Sequence, residues 1–260
     1  MELSDEQKQE FMRRGFIQIP GVVPRVMLDA ALRAINHSVG QGMNVADMPT
    51  LRSQSYCPEL QNSPLILALL RATKAWPLVE AALGAGKVEA VRGAQIALRF
   101  PSLQTSPGQP APHLDGIHTP WNGVPEGTLH NFSMLACILL SDLPEPNAGN
   151  FTVWPGTHRS FEEYFRAHGT ASLLNGLPAV PLPEPYQITG RAGDVILAHY
   201  QVAHSAAAHI GPHIRYAVFY RLKHIAHDSH RSEAMTNIWL DWEGMKDIVA
   251  ADNSRLHSVV

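Results

Sequence analysis

The sequence has little with which to crosslink itself, grip an anionic polymer or cross a membrane. Its 260 residues include two cysteines, Cys57 and Cys137. Two thiols cannot build a disulfide framework, and Cys137 lies in an apolar run, so reduced, packed thiols in a cytoplasmic protein are expected. Lysine is scarce: it supplies five of the 20 basic residues and arginine the other 15. With a formal net charge of -3, no polybasic surface for nucleic acid or an anionic membrane is expected. No apolar run approaches the roughly 18 residues that suggest a membrane span. The opening Met-Glu-Leu-Ser-Asp-Glu is acidic where a secretory leader is basic and then apolar, so a soluble protein without a leader is expected. Gly-rich dinucleotide and phosphate-loop patterns are missing as well, as are internal repeats and low-complexity tracts.

What is present is a core. Apolar residues make up 45% of the chain and charged residues 17%, the balance of a globular protein, and one domain over 1–260 is expected. Residues 1–85 read as a helical buttress. Ser4 and Asp5 can cap a helix running to about Arg14. Residues 16–19 form a short extended piece ended by Pro20-Gly21, and Pro24 starts a helix with Val26, Met27, Ala30, Leu32 and Ile35 at helical spacing. Further helices are expected at 64–73 and 77–83. From residue 86 the pattern changes to short strands between Pro and Gly, at 89–100, 131–141, 151–154, 194–199 and 213–223. Residues 102–112 read as a surface loop or lid, 160–167 as an inserted helix, and 234–249 as a closing helix within a C-terminal segment, 226–260. The 86–225 core is then an antiparallel barrel or jelly roll: mainly β, buttressed by helices.

His113-Leu114-Asp115 carries the chemistry. On an extended strand, residues i and i+2 share a face, so an imidazole and a carboxylate there can reach one ion. His204 lies just beyond the strand ending near His199, where an antiparallel barrel can bring it alongside. Two imidazoles and one carboxylate leave three open positions on an octahedral ion, which suits non-haem iron(II). Eleven residues later comes Arg215, on a strand whose alternation puts His213, Arg215, Ala217, Phe219 and Arg221 on one face, away from the apolar set that packs on helices. A buried guanidinium needs a carboxylate. A dicarboxylate cosubstrate would supply one; Asp142 or Asp194 would be the structural alternative. His204, His209 and His213 could also be read as a zinc cluster, but Gly211-Pro212 breaks the helix that would align them.

The ordered set of motifs resembles the phytanoyl-CoA dioxygenase family of iron(II)- and 2-oxoglutarate-dependent oxygenases. H-x-D, a second His and an Arg eleven residues on form the frame. Asn147-Ala-Gly-Asn-Phe-Thr-Val-Trp-Pro-Gly-Thr-His-Arg159 is similar to the family's "NG…PGSH(K/R)" segment, Arg191-Ala-Gly-Asp-Val-Ile-Leu-Ala-His199 to its "GD" strand, and Gly15-Phe16-Ile17-Gln18-Ile19-Pro20-Gly21 to its "GF…IPG" opening. The resemblance implies a double-stranded β-helix of the jelly-roll or cupin-like kind. It implies His113, Asp115 and His204 as iron ligands, selecting His204 over His199, and Arg215 as partner of the distal 2-oxoglutarate carboxylate. Gln95 matches a strand position that contacts 2-oxoglutarate in relatives. The chain departs from the family where a Trp is often found, at Cys137 or Ile138, and in having Ala206 two residues after the distal His, with the hydroxyl displaced to Ser205.

The resemblance also implies Fe(II), 2-oxoglutarate and O2 as cofactor and cosubstrates, with succinate and carbon dioxide released as a small or medium-sized molecule is hydroxylated or otherwise oxidised. The carboxylate at Asp115 favours hydroxylation over halogenation. A catalytically silent metal- or acid-binding barrel, or a cupin-like zinc or manganese hydrolase or isomerase, are the rival readings. Arg99 shares the face of Gln95, and His118 and Trp121 flank the H-x-D motif, so these three are expected at the substrate. The substrate expected is one with an anionic or strongly polar group, not an acyl-CoA, for which a Lys/Arg cluster would be needed.

Overall fold

The computed structural model describes residues 2–257. In chain order its elements are α1 (Asp5–Arg14), β1 (Phe16–Ile19), α2 (Arg25–Gly40), α3 (Met48–Ser53), α4 (Pro64–Arg71), α5 (Ala75–Leu83), β2 (Gln95–Arg99), β3 (Met134–Leu139), β4 (Phe151–Val153), α6 (Thr157–His168), β5 (Tyr186–Gln187), β6 (Val195–His199), β7 (His204–Ala206), β8 (Arg215–Leu222), α7 (Glu233–Thr236) and α8 (Lys246–His257). Among the described residues no helix is long and apolar enough to cross a membrane.

The strands make two antiparallel sheets. Five lie in the order β1-β6-β3-β8-β2, and three in the order β5-β4-β7. The larger sheet is buried on both faces, which is why β3 and β6 are nearly unbroken apolar runs. Along β8 the alternation divides the core in two. Val218, Tyr220 and Leu222 pack with Ile96 and Leu98 of β2 against the helices, in a cluster that includes Leu28, Ile35, Leu69 and Val79. Ala217 and Phe219 face the other way, with Leu135, Cys137, Phe151 and Val153. That second face holds the site. Both cysteines are buried and free.

Local signals account for the ends of the elements. Ser4 caps α1 reciprocally with Gln7, and Gly15 closes it in the left-handed region at φ 77°. Pro24 is the N-cap of α2 and not its first residue. The strand expected at 89–100 is regular only over Gln95–Arg99: Ala94 N–H leaves the sheet to donate to Gln61 O, while residues 88 and 89 meet the chain just beyond β8, where Glu89 N–H donates to Lys223 O. The closing helix expected at 234–249 is broken in two. The chain between α7 and α8 turns inward so that Trp242 packs on Phe11 and stacks on His199. Gly244 there sits against α5 so closely that a Cβ would stand 1.9 Å from Ala81 O. Helix α3 is short and carries no apolar periodicity that predicts it. Asn44, whose side chain accepts from Ala46 N–H, caps the 3-10 turn at 45–47 that leads into α3, and Pro49 in the first turn marks the start of the helix itself.

Candidate metal centre

His113 and Asp115 are not on a continuous strand. Residue 113 makes a single antiparallel bridge to His204, with N–H to O distances of 3.0 Å in both directions, and the chain then bends. The expected strand geometry is replaced by two anchors. Leu114 is buried in the inter-sheet core, which turns its two neighbours away from that core. Gly116 follows at φ 87°, where a Cβ would lie 2.5 Å from His130 O, so the turn after Asp115 requires glycine. The Tyr200 hydroxyl donates to Asp115 O at 3.0 Å and fixes the bend.

The bridge sets the two imidazoles side by side, with ring centroids 4.5 Å apart. His204 Nε2 and His113 Nε2 stand 3.6 and 3.7 Å from Asp115 Oδ1. These separations are too long for hydrogen bonds. Donors about 2.1 Å from a shared ion would stand about 3.0 Å apart at a right angle and about 4.2 Å apart in trans, so the observed spacing suits three bonds to one ion. The other ring nitrogen of His204, Nδ1, lies 3.0 Å from Val202 O, which holds its proton there and leaves the Nε2 lone pair free to meet an ion. Burial, and then the neighbouring His204, pulls the His113 imidazole down to about 4, so His113 is neutral near pH 7. Among the described residues these three side chains form the only cluster of three or more His, Cys, Asp or Glu groups close enough to share an ion. The donor set is that of a facial triad for non-haem iron(II).

Arg221 completes the centre. Its Nη2 lies 2.8 Å and its Nε 2.9 Å from Asp115 Oδ2, so one carboxylate oxygen is held by the guanidinium and the other faces the imidazoles. Burial alone would raise the carboxyl, but Arg221 and the two histidines outweigh it and hold Asp115 well below the usual carboxylate range. The same Nη2 donates to Gln95 Oε1 at 3.1 Å, and Gln95 Nε2 donates to Ser53 O at 3.3 Å at the end of α3. Gln95 therefore faces the site with its amide engaged by protein. The alternation of β8 puts Arg221 on this face, but no spacing in the sequence puts it against Asp115, 106 residues away.

The triad opens into a cavity of about 890 Å³. Arg215 lies in its wall, 3% exposed, with Nε donating to Gly149 O at 2.8 Å and Nη1 to Ala97 O at 3.0 Å. Neither proposed protein partner is there: Asp194 accepts from Gln18, Gly21 and Arg191, and Asp142 from Ala192. Burial, then the neighbouring Arg99, pulls the Arg215 guanidinium down to about 9. Arg99, Ser205 and Trp121 also line the cavity; Ser205 Oγ donates to Ala206 O at 3.5 Å.

His118 does not line the cavity. It is exposed, with Nδ1 2.7 Å from Val124 O, and closes its own loop instead. His199 is turned away beneath Trp242, with Nε2 2.9 Å from Ile238 O. His209 Nε2 is 2.6 Å from His213 O, which uses the ring on backbone and sets aside the zinc reading.

Several solved structures share this architecture. The chain is 19% identical to the non-haem alpha-ketoglutarate-dependent carbocyclase SnoK from nogalamycin biosynthesis, with 85% of this chain and 83% of that one covered at a TM-score of 0.54. HygX from Streptomyces hygroscopicus, solved with nickel and 2-oxoglutarate, is 19% identical, with coverage of 86% and 88% and a TM-score of 0.55. EctD from S. alaskensis, solved with bound iron, is 17% identical, with coverage of 86% and 77% and a TM-score of 0.56. No curated protein sequence matches significantly. At these identities the structures establish the fold, antiparallel sheets with packed helices. The sequence match reaches further: the profile of the phytanoyl-CoA dioxygenase family covers residues 11–217, from the end of α1 through both elements of the triad to the start of β8, and the chain belongs to that family.

Proposed function

We propose that the protein is an iron(II)- and 2-oxoglutarate-dependent oxygenase that hydroxylates a small or medium-sized organic substrate. One conjunction carries this reading. A His-Asp-His cluster with metal spacing opens into the same cavity as a buried arginine that has no protein carboxylate. His113, Asp115 and His204 would hold the ion, and Arg215 the distal carboxylate of 2-oxoglutarate. Bound together with O2, iron and cosubstrate supply oxidative decarboxylation to succinate and carbon dioxide and the oxidising power for a substrate C–H bond.

The chain's own residues do the positioning. Arg221 fixes the Asp115 carboxylate so that Oδ1 is presented to the ion. The Val202 carbonyl fixes the His204 tautomer. Gly149 O and Ala97 O pin two nitrogens of Arg215, which orients the remaining edge of the guanidinium for two-pronged contact with a carboxylate. Phe151, Leu135 and Phe219 make the wall apolar and limit water at the reacting centre. Gln95 and Ser205 border the cosubstrate in this reading, and Trp121 the substrate. The intact Asp115 favours hydroxylation; SnoK, named a carbocyclase, and SnoN, named an epimerase, indicate other outcomes to compare. We further propose that the two sheets face each other as a double-stranded β-helix, that 1–260 is a single domain, and that the protein works in the cytoplasm on a small molecule with no nucleic-acid or membrane partner.

The test is metal and cosubstrate dependence. Succinate release from 2-oxoglutarate should require iron(II) and oxygen and be abolished in His113→Ala, Asp115→Ala and His204→Ala while circular dichroism stays native. Iron-dependent turnover surviving any one of these substitutions would move the site elsewhere. Turnover of a substrate with zinc or manganese and without 2-oxoglutarate would favour a hydrolase or isomerase.

A further inference from the structure

Four arginines line the cavity: Arg52, Arg99, Arg215 and Arg221. Asp115 is the one carboxylate among the lining residues, and Arg221 already holds it. Assigning Arg215 to 2-oxoglutarate leaves Arg52 and Arg99 without an acid. Among the described residues neither side chain makes a hydrogen bond or an ion pair. Both are nonetheless held near other cations. Arg99 stands directly across from Arg215 in the β2–β8 register, a like-charge cross-strand pair that destabilises a sheet unless an anion intervenes. Arg52 lies close enough that its charge, after burial, pushes the Arg99 guanidinium down from its ordinary range.

This crowding is built in. The backbone carbonyls of Arg52 and Ser53 accept from Gln95 Nε2 at 3.5 and 3.3 Å, so the last turn of α3 is tied to β2, over the site. On the other side, Gly149 sits at φ 73°, where a Cβ would lie 2.7 Å from Arg99 Cβ; glycine there makes room for the Arg99 stem. Two arginines that line one cavity beside an apolar wall, neither with a protein acid, offer their guanidiniums to a carboxylate.

Resting on the oxygenase reading, we propose that Arg52 and Arg99 form a second acid site, distinct from the cosubstrate's, that binds the carboxylate of the primary substrate. The substrate is then a small organic acid with an apolar body. The carboxylate lies between the two guanidiniums, and the body lies against Ile117, Trp121 and Val124, which line the same cavity. A cavity of about 890 Å³ accommodates such a molecule beside 2-oxoglutarate.

The experiment uses the full chain loaded with nickel(II), which allows binding without turnover. 2-Oxoglutarate affinity is measured first by titration calorimetry. Paired acids and amides, phenylacetate against phenylacetamide and hexanoate against hexanamide, are then titrated with and without saturating 2-oxoglutarate. The acids should bind at least ~10-fold more tightly than their amides. Arg52→Ala and Arg99→Lys should each remove most of that preference, and both should leave 2-oxoglutarate affinity within about twofold. Arg52 is exposed at a helix end and Arg99→Lys keeps the charge, so folding is preserved; unchanged melting in the ligand-free state checks it. Acids and amides that behave alike, including binding by none of them, would overturn the proposal. So would an Arg99→Lys protein that loses 2-oxoglutarate affinity yet keeps the acid preference, which would give Arg99 to the cosubstrate. Acid preference without any metal-dependent 2-oxoglutarate binding would instead overturn the oxygenase reading and leave the acid site standing.

Discussion

Replacing Arg215 by lysine tests the heart of the site. The substitution keeps the positive charge and removes the fork. In the native wall Nε and Nη1 are spent on Gly149 O and Ala97 O, at 2.8 and 3.0 Å, and their geometry orients what remains of the guanidinium. A lysine has one nitrogen with which to serve both carbonyls and a ligand. A charge-assisted contact of this kind is worth about 1.5–3 kcal/mol, so the dissociation constant for 2-oxoglutarate should rise by about one to two decades. Thermal stabilisation reads this directly. At a 2-oxoglutarate concentration ~100-fold above the wild-type constant, the ligand stabilises the wild type by about 2.7 kcal/mol, or roughly 5–10 °C for a chain of this size. The same concentration gives the variant about 0.4–1.4 kcal/mol, or roughly 1–5 °C. Metal affinity, titrated without cosubstrate, should be unchanged, because Arg215 touches none of the triad. Coincident 2-oxoglutarate titrations would refute the assignment and make Arg215 structural.

Two further outcomes follow from contacts around the centre. Arg221→Ala frees Asp115 Oδ2 and should weaken iron binding about 10- to 100-fold, the effect of losing a group that holds a metal ligand; Arg221→Lys should recover part of it, and an iron titration matching wild type would refute the positioning role. Asp241, 2% exposed, accepts from Ser133 Oγ at 2.5 Å and meets His227 Nδ1 and His230 Nε2 at 2.6 Å each. Burial opposes its charge, but these three partners prevail and pull it down to about 2. A folded-state pKa below the unfolded value of about 3.9 contributes roughly 2.5 kcal/mol above pH ~4, lost as pH falls through ~2. Asp241→Asn should therefore lower stability at pH 7 by about 2–4 kcal/mol and flatten the acid limb of a denaturation profile; a limb as steep as wild type would show that other groups set it.

Much of the molecule was legible because the chemistry is local or periodic. The Ser4 cap, the 3.6-residue pattern of α2 and the two-residue pattern of β8 each state their own geometry, and the β8 pattern placed Arg215 and Arg221 on the site face before any fold was known. The ordered motifs identified the family and marked His113, Asp115 and His204 as candidate ligands, which the fold brings within metal spacing. Other features were decided only by tertiary contact. The bend at His113–Asp115 depends on Leu114 reaching the inter-sheet core and on the His130 carbonyl that excludes a side chain at Gly116. The inward turn of Trp242 that broke the closing helix depends on Phe11 and Ala81, far earlier in the chain. His118 looked like a border of the cavity by its place in sequence, yet a carbonyl six residues on took its ring. Arg221 on Asp115, and Arg52 beside Arg99, join residues that no spacing relates. A charge's partner is set by what three-dimensional packing brings within a few ångströms, and in one dimension that information is absent.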